Sequence, residues 1–448
     1  MSSIEPNIPN TPAENPPAPE SNGNGTKWIT AALCCLIVIP ILAEWLPSEV
    51  AMWKQAAARN HWDSADRVSA MQLNDEALSW DDSNPTILSE RAEWQAELGK
   101  YDLAISIYEN LLQDMAESEQ TISWRMQLCN HYNNLAIQEQ REATQTWHQW
   151  ELIDRWYQQF DRERSLPTVA RANLYNNRAY LLAVGNTHFP EALESINFSL
   201  DLIGGEIYCL YNDPLFLVQF AYQAFREKNY AEARKHLNST VDQLERRYAL
   251  LLATTPSNTW KAFEKKELAD RTGKLALVFG NVLLFRAHCL EMLQIQEQSN
   301  QTLEGITVSD LERAQILGAS VESFSPDIFS SELLLSADVQ SLIPMALDTR
   351  GYTYYQLGYH HLALQDLEVA VEASEYQLKQ IEKVIEQEKY RIADPAIVSI
   401  QQQSRYKNLA VILYHRSLAY DATHQVAKAK RDRDRIESLG YAPSPLLH

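Results

Sequence analysis

The sequence predicts an all-α chain: a solenoid of helix-turn-helix pairs, preceded by one apolar helix that can span a membrane. Three observations lead there. The stretch Asp348 to Val371, DTRGYTYYQLGYHHLALQDLEVAV, sets small or medium residues at Gly351, Gly358, Ala363 and Ala370. Larger ones stand at Tyr354 and Leu367, the intervals of a two-helix unit about 34 residues long. Elsewhere, long stretches repeat apolar residues at i, i+3, i+4 and i+7, glycine is scarce at 13 of 448 residues, and strand patterns are almost absent. Finally, WITAALCCLIVIPILAEW is apolar from Ile29 to Ala43. A chain of 448 residues exceeds what one compact core usually holds. A solenoid escapes that limit, because each repeat touches only its neighbours.

Taken in order, residues 1–26 are rich in Pro, Asn, Ser and Gly and nearly lack apolar side chains. They cannot bury enough surface to offset their ordering entropy, which predicts a disordered tail. Residues 28–47 are expected to form a transmembrane helix. From Trp28 to Trp45 a helix rises roughly 27 Å, just short of the ~30 Å hydrocarbon core. The two tryptophans suit the interfacial aromatic belts, and Pro40 is expected to kink the helix. A cleaved signal peptide would need a short basic leader. The tail is instead long and acidic, with Glu5, Glu14 and Glu20 against Lys27 as its only cation. Lys54, Arg59 and Arg67 follow the apolar run, so the positive-inside rule tips residues 48–448 toward the cytoplasm.

Beyond Ala51 the spacing recurs. Pro85 to Leu112 carries Gly99, Tyr101, Ala104 and Tyr108, and AYQAFREKNYAEARKHLNST carries Ala221, Tyr230, Ala233 and Leu237. NNRAYLLAVGNTHFPEALESINFSL aligns Ala179, Phe189, Ala192 and Ile196 with a longer turn. HRSLAYDATHQVAKAKRDRDRI matches at Ser417, Tyr420 and Ala429, with Arg433 where an apolar residue is usual. On these residues the chain resembles tetratricopeptide repeat (TPR) proteins. The resemblance implies a right-handed superhelix of about eight helix pairs whose concave groove binds a protein or peptide partner. Degenerate units fill the gaps: Ala51 to Asp82, the tryptophan-rich pair from Ser123 to Phe160, and a pair from Lys274 to Leu317. Ile203 to Asp213, Thr254 to Thr259 and Gly318 to Pro344 read as loops. After the clearest repeat the helix runs on to Asp394-Pro395, predicting a long antiparallel hairpin over residues 363–421.

An arginine precedes the small residue of the first helix in five units: Arg91, Arg178, Arg286, Arg350 and Arg416. Two readings compete. A guanidinium ladder could hold carboxylates of a bound peptide, making Arg178, Arg350 and Arg416 candidate partner-binding residues. Alternatively, each arginine pairs with an acidic residue of the adjacent helix, which is the favoured reading. Asn177 joins the candidates, because Asn177-Arg178-Ala179 looks like the Asn-bearing part of the clamp by which some TPR proteins hold chaperone carboxyl termini. The lysines that accompany it there are not evident here.

Net charge is −20, which repels phosphate and sets nucleic acid aside as a partner. The five cysteines include no CxxC, so reduced buried thiols are expected. No phosphate-binding glycine loop, GxSxG or HExxH occurs. His288 and Glu291, three apart on a predicted helix, lack further ligands. No catalytic, metal or cofactor residue is therefore assigned. The expectation is a membrane-anchored scaffold, with a permanent subunit of a membrane complex as the alternative and an enzyme ranked below both.

Overall fold

The structure, a computed structural model, describes residues 46–113, 115–164, 166–254, 256, 260–297, 301–330, 337–388 and 395–445. The predicted tail, and the predicted membrane helix up to Trp45, lie outside the described residues. Among those described, every regular element is a helix and there is no strand. The chain divides into two compact units, Met1–Leu98 and Gly99–His448. The division falls inside the predicted repeat Pro85 to Leu112, and each unit is taken by itself.

In the first unit, α1 spans 46–63, α2 Arg67–Leu78 and α3 Pro85–Glu97. Asn84 starts α3: its side chain accepts from the amides of Thr86 and Ile87, and Pro85 follows at a position with no amide to lose. Alanines 51, 58, 70 and 77 are fully buried, so the helices approach closely. Trp62 and Trp94 stack with centroids 4.6 Å apart, and the Arg67 guanidinium lies 3.9 Å from the Trp62 ring centroid. A stacked aromatic pair adds about 0.5–1.5 kcal/mol beyond its buried area.

In the second unit come α4 Tyr101–Gln113, α5 Glu119–Gln138, α6 Thr144–Arg164, α7 Thr168–Val184, α8 Phe189–Leu202, α9 Glu206–Leu210, α10 Asn212–Arg226, α11 Tyr230–Ala253, α12 Ala262–Glu297, α13 Gln301–Ile316, α14 Ala337–Gln356, α15 His360–Glu388, α16 Pro395–Ala422 and α17 Val426–Ser438. Sequential helices pack as antiparallel hairpins. The signature residues are packing residues: Ala179, Ala192, Ile196, Ala363, Leu367, Ala370 and Ala429 are fully buried. Gly351 shows why size matters, since a Cβ there would sit 2.6 Å from Leu367 Cγ. Gly358 turns the chain between α14 and α15 at φ +73°, which L side chains rarely adopt. The expected long hairpin is α15 and α16, packed on each other, with α16 opening at Pro395.

Two loop expectations need correction. Ile203 to Asp213 contains the short helix α9, and α10 opens at Asn212. Of Gly318 to Pro344, residues 318–330 are irregular and include a 3-10 turn at Pro326–Phe329, and residues from Ala337 onward belong to α14. Pro344 lies inside α14. Proline strips the carbonyl four residues back of its helical partner; here Gln377 of α15 donates its side-chain amide to the Gln340 carbonyl.

The order of packing also departs from the order of the chain. The pair α7/α8 packs directly against α14, which belongs to the next pair but two. Three pairs, α7/α8, α14/α15 and α16/α17, therefore stand side by side, while α10 to α13 pack on one another as an excursion between the first and second. α12 is long and apolar enough to cross a membrane by length and composition, but 56% of its apolar window is buried inside the fold.

A candidate partner-binding groove

The first helices of the three neighbouring pairs, α7, α14 and α16, frame one cavity, and a second adjoins it between α14, α15 and α16. One, of about 380 Å³, is lined by Asn176, Asn177 and Tyr180 of α7, Met345, Asp348 and Thr349 of α14, and Lys407, Asn408, Val411 and Ile412 of α16. The other, of about 470 Å³, shares Met345, Ser404, Asn408 and Ile412 and reaches Pro344, Gln377 and Arg405. Such volumes fall within the range of small-ligand sites. The floor is apolar. The rim is polar, and its Asn176 is 5% exposed with an Oδ1 that has no hydrogen-bond partner.

Asp348 is not free for a ligand, because its carboxylate lies 2.9 Å from Nδ1 of buried His415. His415 in turn stacks on Tyr352 with centroids 4.0 Å apart. Burial pushes the Tyr180 phenol well above the usual tyrosine range, with the Asp348 charge adding to it, so Tyr180 offers a neutral hydroxyl.

Of the four candidate residues from the sequence, Asn177 alone lines this groove. Arg178 Nη1 is 3.8 Å from Asp154 Oδ2, and its guanidinium lies 5.6 Å from the Trp147 ring centroid. Arg416 grips Asp432 at both oxygens, at 2.8 and 2.7 Å. Arg350 does the same with Asp366, at 2.6 and 3.0 Å, and also reaches Glu206 at 2.9 Å. The remaining members of the series are paired too. Arg286 holds Asp310 at 2.7 Å on both oxygens, and Arg91 meets Asp75. In all five units the guanidinium therefore faces a carboxylate of a neighbouring helix.

Arg350 belongs to a buried charge cluster on a different face from the groove. Arg271 of α12 approaches Glu206 at 2.9 Å and Asp366 at 3.0 Å, and both arginines are 1% exposed. Burial raises the pKa of Glu206, but Arg350, Arg271 and Lys274 overcome this and hold it below the usual carboxylate range. Burial likewise works against the Arg350 charge, yet Asp366, Tyr354 and Glu206 keep it well above the ordinary arginine value. Glu206, Glu267 and Asp270 lie close enough to share an ion. Glu206, however, already faces three cations, so the trio is part of this cluster. His288 and Glu291 are an exposed pair at 3.7 Å. Cys129, Cys209 and Cys289 are free and buried.

Asn176, Arg405, Lys407 and Asn408 carry no distinctive signal in the sequence. They sit on polar stretches of helix that read as solvated faces.

No protein-family description matches this chain, and no curated relative matches it. Among solved structures it is similar to the P58(IPK) TPR domain at 13% identity, covering 88% of this chain and 95% of that one with a TM-score of 0.18. It is similar to yeast Tom70 at 10% identity, covering 87% and 92% with a TM-score of 0.18. It is also similar to Naa15/Naa10 bound to HypK-THB at 13% identity, covering 89% and 71% with a TM-score of 0.18. The helical-hairpin, TPR-like architecture stands on the chain's own packing described above.

Proposed function

We propose that this chain is a membrane-anchored scaffold: residues 28–47 tether it, and the groove between α7, α14 and α16 binds a segment of a protein partner. One observation carries the reading. Beside α7, α14 and α16 lie two adjoining cavities, and part of their polar lining is not engaged among the described residues: Asn177, Lys407, Asn408 and the unpartnered Asn176 Oδ1. An apolar floor with a few placed polar groups is how binding sites gain both area and direction. The anchor would confine that binding to a bilayer surface, with the repeats on the cytoplasmic side.

A photo-crosslinking side chain placed at Ser404 in the full chain tests this. A defined partner should be captured there but not from Val426, an exposed position on α17. Identical capture from both positions would sink the groove as the binding surface. A permanent structural subunit is the second reading. Exposed apolar residues of the excursion favour it, Leu250 at 65%, Ile295 at 72% and Ile316 at 84%. A complex that survives high salt and detergent would select it.

A further inference from the structure

We infer that the groove takes an extended internal peptide segment bearing two acidic side chains separated by an apolar one. This rests on the groove being the binding surface, and it adds the chemistry of the occupant.

The argument starts from charge. Among the described residues the one carboxylate on the groove lining, Asp348, is buried and engaged by His415. The two cations are uncompensated among the described residues. Lys407 lines one cavity and makes no ion pair, while Arg405 lines the other and meets only the neutral Gln377 amide at 2.7 Å. A cationic groove on a chain of net charge −20 is a local reversal. It favours an anionic partner and opposes the rest of the protein's own surface.

Backbone recognition comes from the amides. Asn176 Oδ1 is buried without a donor, an unfavourable arrangement until a donor arrives. A peptide N–H supplies one, and Asn177 and Asn408, whose side chains bond no other side chain among the described residues, add both donors and acceptors along the same groove. The floor of Met345, Val411 and Ile412 takes an apolar side chain.

Two cations in two adjoining cavities call for two carboxylates along one strand. Two acidic side chains of an internal segment supply both, whereas a terminus without acidic side chains brings only its α-carboxylate; the occupant proposed is the internal segment. Alternation of side chains along an extended strand delivers acidic groups to one side and an apolar group to the other.

The test uses the full chain and a library of random nine-residue peptides, acetylated at one end and amidated at the other. Bound peptides should be enriched at least threefold in Asp and Glu over the input. Lys407→Glu with Arg405→Glu should reverse that enrichment, both positions lying on the groove rim. Asn176→Ala should lower recovery of all peptides, with unchanged far-UV circular dichroism. A recovered set that is neutral or basic, yet lost in Asn176→Ala, would overturn the acidic assignment and leave the groove reading standing. No recovery from any variant would overturn both. Enrichment that appears only in a parallel library with free carboxyl ends would overturn the internal-segment assignment.

Discussion

Asp366→Asn isolates the buried charge cluster with almost no change in volume. Asp366 is fully buried, accepts two hydrogen bonds from Arg350 and lies 3.0 Å from Arg271. The substitution leaves two guanidiniums, each 1% exposed, sharing Glu206 as their nearest remaining carboxylate. Removing one partner of a buried pair costs about 3–5 kcal/mol, because the survivor stays desolvated and uncompensated. Domain stabilities are about 5–15 kcal/mol, so the second unit should lose roughly a fifth or more of its margin. Urea unfolding by far-UV circular dichroism should show the midpoint fall with the slope unchanged. Glu206→Gln should lose less, since that side chain retains 12% exposure. Arg350→Met combined with Asp366→Leu removes one charge of each sign and should recover most of the loss. A change below about 1 kcal/mol for Asp366→Asn would refute the reasoning, because surface-like pairs behave that way.

Gly351→Ala gains about 1 kcal/mol of helix propensity, but the new Cβ lies 2.6 Å from Leu367 Cγ. Overpacking at about 1–3 kcal/mol should win, lowering the melting temperature; an unchanged or raised value contradicts the close approach of α14 and α15. His360 titrates below the ordinary histidine value of 6.5, first through burial, with Glu264 opposing and Lys261 and His361 adding. The unfolded chain therefore takes up the proton first, and stability falls as pH drops below 6.5 toward the lower folded value. His360→Asn should flatten that part of the stability-against-pH curve, and a parallel curve would remove His360 as the cause. Burial pushes the Cys209 and Cys289 thiols up to about 12, and Cys129 higher still. A thiol reagent should leave these three unmodified in the folded chain and modify them in urea, as mass spectrometry of the peptides would show.

What the sequence disclosed was what is local. A hairpin buries residues a few turns apart, so Gly351, Tyr354, Ala363 and Leu367 write their contacts into their spacing. The arginine series was visible for the same reason: Arg350 pairs with Asp366 and Arg416 with Asp432, each sixteen residues on. Pro344 read as a loop residue because its remedy, Gln377, sits on another helix. Glycines at 204 and 205 hid α9, although Glu206 at its start is fixed by Arg271 and Arg350 from helices far along the chain. The groove was hidden most completely. Lys407 and Asn408 have the composition of any solvated helix face, and only the packing of α7 beside α14 and α16 gives them a cavity to line.

That packing depends on an interruption. Between α8 and α14 the chain builds four further long helices before α14 settles on α7 and α8 as an immediate successor would. Loop-closure entropy rises only as the logarithm of length, so an excursion this long costs little more than a short one. What it needs is a specific return point, and two are visible. At one, α12 begins against the α14–α15 turn: Glu264 accepts from the His361 amide at 3.0 Å, Lys261 donates to the Leu357 carbonyl at 3.0 Å, and Trp260 stacks on His361 with centroids 4.4 Å apart. At the other, Arg271 of α12 and Glu206 of α9 complete the charge set of Arg350 and Asp366. A buried charge set stabilises little over an apolar core, but it tolerates only one arrangement of its members. It therefore ties α14 and α15 to α9 and α12. Thr349 stands in the groove, and the next residue, Arg350, in the charge cluster. One helix thus carries the proposed binding groove on one face and the buried charge cluster on another.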